Sequence, residues 1–167
     1  MVRALIGISL IIATYLQAMH APPTLERRLE RAVLNSDIAM VEKIFAQENP
    51  DLTACYGENQ ENILIRAING NFSALGVVKI LLEKGVDINA IATDGNTPLF
   101  QAIFLNQASI ALLLLDNNAD ITRQIKIYGH SPATPLGLAE HFCLDAVVKK
   151  ILEKQESMKL TLKKEHE

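Results

Sequence analysis

The sequence has no tryptophan, and aromatic residues make up only 5% of its 167 positions, so its core has to be aliphatic. Alanine, leucine, isoleucine and valine take their place, a composition that favours helices packed closely on helices. Cysteine is equally scarce. Cys55 and Cys143 alone do not make a disulfide scaffold. Charge of one sign is not in excess: the formal net charge is −3 and no basic stripe runs along the chain, which excludes nucleic acid as the main partner. A glycine-rich phosphate loop and a nucleophile elbow are both missing. His141 and Cys143, the nearest approach to a base and a nucleophile, stand two residues apart on a helix and so do not face each other. Adding His130 does not give the paired ligand spacing of a structural zinc site. No catalytic residue, metal or cofactor is therefore expected. What is present is a globular balance, 49% hydrophobic against 21% charged, over the length of one domain.

One long apolar run stands apart. Met1-Val2-Arg3 carries a positive charge, residues 4–19 carry none, and Ala18 and Ala21 supply small residues for cleavage. This is the order of a secretory signal, and the run is shorter than the ~20 residues of a spanning helix. Residues 1–21 are thus expected to be an export signal. Their retention as a membrane anchor is the alternative, and it is the one case in which a membrane would be a partner. An Asn71-Phe72-Ser73 triplet matches a glycosylation sequon, which matters only in a eukaryotic secretory pathway.

The rest of the chain is organised by repetition. Ala32, Ala67, Ala102 and Ala139 recur in the same setting, preceded by Leu29, Leu64, Leu99 and Leu136. A second landmark follows each alanine: Ile44-Phe45, Leu81-Leu82, Leu114-Leu115 and Ile151-Leu152. Independent landmarks that march together mark a repeat architecture. Local chemistry predicts two short helices per repeat. Thr97-Pro98 and Thr134-Pro135 place a hydroxyl at the N-cap and proline at the first helical position, with Asn62 and Thr24 as the caps of the other two repeats. Gly85 and Asn118 suit left-handed helix ends, and Asp94-Gly95 suits a tight turn.

These residues carry a family resemblance. Thr97-Pro98-Leu99 with Ala102, and Thr134-Pro135-Leu136 with Ala139, resemble the ankyrin signature T-P-L-H-x-A. Leu81 through Asn89 resembles the family's L-L-x-x-G-A-D-x-N close, and Leu114 through Ile121 repeats it with Asn118 for glycine. The signature histidine is replaced by Ile65, Phe100 and Gly137, and the second repeat carries a short insertion around residues 71–76. The resemblance implies an all-α ankyrin-repeat solenoid of four helix-turn-helix repeats with short β-turn fingers. The repeats fall at about 24–52, 61–89, 96–122 and 133–155, within a domain spanning 22–155. Residues 156–167 form a charged helical extension.

The resemblance also implies a function: binding a protein partner through a concave groove and the finger tips, in an exported protein of bacterial type. Contact positions carried over from the family are Leu34, Asn35, Asn69, Phe104, Leu105, His141 and Phe142 along the groove. In the fingers they are Ile91, Thr93, Asp94 and Asn96. Tyr56-Gly57 precedes Asn62 as Tyr128-Gly129 precedes Thr134, so two fingers are longer than the middle one. The last of them, which also holds Arg123 and Lys126, alternates like a small hairpin. Tyrosine there offers contact area at low entropic cost, or folds back on its own finger. In the second helices one column reads Lys43, Ile80, Leu113, Lys150, charged only at its ends. Terminal repeats need a polar outer face, so the array is expected to be complete at four repeats and to act as a monomer.

Overall fold

The computed structural model describes residues 24–70, 74–125 and 133–164. The apolar N-terminal run, the Asn71-Phe72-Ser73 triplet and residues 126–132 of the last finger lie outside the described residues. Eight helices among the described residues come in four pairs. They are α1 (Leu25–Leu34) with α2 (Ile38–Gln47), α3 (Ile63–Asn69) with α4 (Leu75–Glu83), α5 (Pro98–Phe104) with α6 (Ala108–Asp116), and α7 (Pro135–His141) with α8 (Asp145–Lys164). The first helices of successive repeats pack on one another, and so do the second helices, giving the two layers of a helical solenoid.

Each first helix begins as the sequence predicts. Thr24, Asn62, Thr97 and Thr134 accept a hydrogen bond from the backbone N–H three residues on, at Arg27, Ile65, Phe100 and Gly137. A cap of this kind contributes about 1 kcal/mol. The helices end on left-handed residues where the sequence places them: Gly85 has φ +83° and Asn118 φ +63°. A third set was not legible. Ser36, Asn106 and Cys143 occupy the turn between the two helices of their repeats with φ 54°, 57° and 54°. Only Asn106 is a residue type that signals this conformation.

Between the layers the core is aliphatic. Leu29, Leu64 and Leu99 are buried to 1% exposure or less, as are the column Val33, Ile68 and Ile103 and the landmarks Ile44, Leu81, Leu114 and Ile151. Among the described residues there are no strands, only two isolated antiparallel bridges, Tyr56 with Glu61 and Ile125 with Ala133. Each closes the base of a finger. The fingers are also tied to one another: Thr93 N–H donates to the Asn59 carbonyl at 2.8 Å, and Asp120 N–H donates to Asn89 Oδ1 at 2.8 Å.

One expectation about the ends is corrected. Lys43 is exposed, but Lys150 turns back on the array, its ammonium 2.6 Å from the Asp116 carboxylate of the preceding repeat. The polar mark of the last repeat is Glu140 instead, exposed in the column where Val33, Ile68 and Ile103 are wholly buried. The final helix runs unbroken through the charged extension to Lys164. No described helix is long and apolar enough to cross a membrane.

Candidate protein-binding surface

The first helices and the fingers share one face, and two patches on it differ in character. The polar patch is a ladder that crosses three repeats. Arg66 on α3 donates through Nε and Nη2 to Glu30 of α1, at 3.0 and 2.7 Å, and its Nη1 lies 3.4 Å from Glu61 at the base of the first finger. Asn69, one turn further along α3, donates to the other oxygen of Glu61 at 2.9 Å. Gln101 of α5 then donates to Asn69 and accepts from Asn96 of the second finger. Glu61 is only 9% exposed, and a carboxylate so buried requires these partners. Asn69 and Asn96, carried over from the family as contact positions, are therefore anchored in a network, each with one amide hydrogen left to offer.

The apolar patch lies where α5 and α7 end. Phe104 is 51% exposed and meets the half-buried Phe142 edge-on, with ring centroids 6.2 Å apart and planes at 88°. His141 stands over Phe142 in turn, at 5.2 Å. Leu105 is half-buried beside them and packs on the core. Sequence reasoning named these positions without the geometry that joins Phe104 to Phe142 across two repeats.

The other contact positions are scattered. Leu34 is half-buried and Asn35 exposed at the end of α1. Ile91 is 50% exposed at the second finger tip, next to exposed Thr93 and Asp94. The Asp94 carboxylate is spent inside the finger, accepting from Asn96 N–H at 3.0 Å. Arg123 is exposed, whereas Lys126 and Tyr128 lie outside the described residues. Tyr56 is not available as a contact. Its ring is buried at 7% exposure, and burial, reinforced by the fields of Glu26 and Glu30, pushes its hydroxyl up to about 12. The Tyr56–Glu61 bridge turns the chain back at that point, and the ring joins the core.

Sequence reasoning missed Glu30, Glu61, Arg66 and Gln101. A signal was present, since Arg31, Arg66 and Gln101 precede the recurring alanine in successive repeats. A second missed motif is Asp51-Leu52-Thr53, which repeats Asp87-Ile88-Asn89 and Asp120-Ile121-Thr122. In each, the aspartate Oδ1 accepts the backbone N–H two residues on, at 2.8 to 2.9 Å. The threonine hydroxyls add a second bond, and together these hold the Asp51 and Asp120 carboxyls below the ordinary range. These are finger-shaping contacts. Among the described residues no group of three His, Cys, Asp or Glu is placed to hold a metal.

Comparison with known proteins agrees with this architecture. A family model described as ankyrin repeats (3 copies) matches residues 29–125. Acyl-CoA-binding domain-containing protein 2 of Arabidopsis thaliana is 45% identical over 69 residues, which make up 39% of this chain and 19% of that protein. The matched stretch thus spans about a fifth of that relative and roughly the length of two repeats. The family match covers more than half of the chain, from Leu29 through the close of the third repeat, and by it this chain belongs to the ankyrin-repeat family.

Proposed function

We propose that this protein is a non-catalytic binding module whose protein partner lies across the first helices and fingers, anchored on Phe104 and Phe142. Ankyrin repeats generally serve as protein–protein interaction modules. The observation that carries the finer reading is the half-exposed Phe104 ring held edge-on by Phe142. Aromatic anchors fixed by their neighbours dominate interface energies, with truncations that cost on the order of 2 kcal/mol or more. The amide ladder beside it supplies hydrogen-bond donors along the same face. The name of the Arabidopsis relative speaks of acyl-CoA binding in that protein, and the short shared stretch gives no reason to extend it here.

The test uses Phe104→Ala, because an exposed ring can be removed without opening the core. Capture of the partner retained by the wild-type chain should fall at least about tenfold, with thermal unfolding unchanged. Cys143→Ala should leave capture intact. Retention of wild-type affinity by a folded Phe104→Ala chain would place the contact elsewhere. For residues 1–21 the reading is an export signal, supported by the order of Arg3, the apolar run and the small residues Ala18 and Ala21. Intact mass of the exported chain tests it: a mature terminus after Ala18 or Ala21 is expected, and an uncut chain held in membranes means an anchor.

A further inference from the structure

Each inner repeat is covered on both sides, so its columns show what the two ends of the array are shaped to meet. Met40 of α2 is 40% exposed, whereas Val77, Ile110 and Val147 in the same column are buried to 3% or less. At the other end Leu152 of α8 is 44% exposed, whereas in the same column Leu82 is half-buried and Leu115 wholly buried. Val148 is half-buried where Val41, Val78 and Ala111 are at 0%. Both ends therefore keep apolar positions that repeats use to stack on one another. The first end also holds an open hollow of about 400 Å³, lined in part by Arg27, Arg31 and Met40, on the side where a preceding repeat would sit.

The charges at the two ends stand in the same register. Inside the array, Lys150 of the fourth repeat reaches back to Asp116 of the third at 2.6 Å. Position by position, Lys43 stands in the first repeat where Lys150 stands in the fourth, and Glu153 stands where Asp116 does. Both are exposed, and Glu153 makes only a loose 4.0 Å contact with Lys149. Arg31 likewise holds the place of Arg66 and Gln101, which reach back to Glu30 and Asn69 of their preceding repeats. In the fourth repeat the places of Glu30 and Asn69 are held by Gly137 and His141, so this pairing is not repeated across the ends.

We propose that a second copy of this chain covers these ends: the first repeat of one copy stacks on the fourth repeat of another in the register of the array itself. Lys43 then pairs with Glu153 of the second copy, and Met40 covers its Leu152 and Val148. The contact joins unlike surfaces, so it runs head to tail, and by continuing the register of the array it builds open-ended assemblies. Its ion pairs are exposed at the rim and give way to salt.

Charge reversal tests this on the full chain, with mass in solution followed by sedimentation against concentration. The wild-type mass should rise with concentration and fall back when salt is added. Lys43→Glu and Glu153→Lys should each weaken association roughly tenfold, by placing like charges in contact. The double variant K43E/E153K should recover it. Mixing the two single variants should give pairs that neither forms alone, because the first repeat of the K43E chain then meets a fourth repeat of opposite charge on the E153K chain. Thermal melts of each variant serve as the control for folding. A wild-type chain that keeps its single-chain mass at the highest soluble concentration overturns the proposal. So does association indifferent to all three variants, which is what contact through the apolar residues 4–19 would give.

Discussion

Gly85 leaves α4 at φ +83° with nothing within 4 Å of the place where a β-carbon would stand. The position is therefore governed by backbone conformation and not by space. Gly85→Asn should be tolerated, since Asn118 holds the equivalent left-handed position in the next repeat. Gly85→Val should cost about 1–2 kcal/mol, the left-handed penalty for a β-branched residue that lacks asparagine's local hydrogen bonding, measured by thermal or denaturant unfolding. Equal stability of the two variants would mean that φ does not govern this site. Tyr56 makes the opposite case, a side chain decided by its surroundings. Its hydroxyl is raised from about 10 to about 12, first by burial and then by Glu26 and Glu30. A folded-state value above the unfolded one contributes stability that is fully present below pH about 10 and is lost as pH rises toward 12. Tyr56→Phe should remove that alkaline loss while leaving stability at neutral pH within about 1 kcal/mol of wild type. Phenolate absorbance against pH measures it, and a Tyr56 that titrates near 10 would contradict its burial.

At the scale of elements, much of the fold was written in short-range chemistry. A hydroxyl or amide before each first helix, proline at the start of α5 and α7, and glycine or asparagine at the close of α4 and α6 depend on neighbours within a few residues, so sequence alone located them. Lys150 was misread because its column is defined by spacing, and spacing does not say whether a side chain leans toward the preceding or the following repeat. The ladder through Glu30, Arg66, Glu61, Asn69 and Gln101 escaped for a related reason. Its bonds span 36 residues from Arg66 to Glu30 and 32 from Gln101 to Asn69, separations that only the stacking of helices closes. The contact positions were legible as places in a repeat, but their burial was not. Tyr56 and Phe104 are both aromatic at expected positions, and only packing separates a hidden ring from a half-exposed one. The ladder yields its own prediction. Arg66→Ala should cost about 1–3 kcal/mol, because Glu61 would remain nearly buried with only Asn69 to hold it. Arg66→Ala with Glu61→Gln should recover part of that loss in equilibrium unfolding. Strict additivity of the two would show that the residues do not act on one another.

For the whole molecule, a solenoid differs from a globular core in that each repeat is stabilised by its immediate neighbours alone. The inner first helices α3 and α5 are covered on both sides, and nearly every apolar side chain they carry inward is at 4% exposure or below. The outer pairs are covered on one side. Met40 is 40% exposed at one end, and Leu152 is 44% exposed at the other. Local opening follows lost contacts, so amide exchange in dilute solution should be slowest in α3 and α5 and faster in α2 and α8, with residues 156–164 fastest of all. Hydrogen exchange read by mass spectrometry resolves these segments. Uniform protection from α1 to α8 would mean that the array opens only as a unit and that its ends are not weaker than its middle. The same measurement at high concentration bears on end-to-end stacking. A second copy seated on either end would bury Met40 and Leu152 and so slow exchange in α2 and α8. The inner helices, already covered, would keep the rates they have in dilute solution. Protection that rose equally in every helix would come from crowding or aggregation, because only contact at the ends distinguishes the outer repeats from helices α3 to α6.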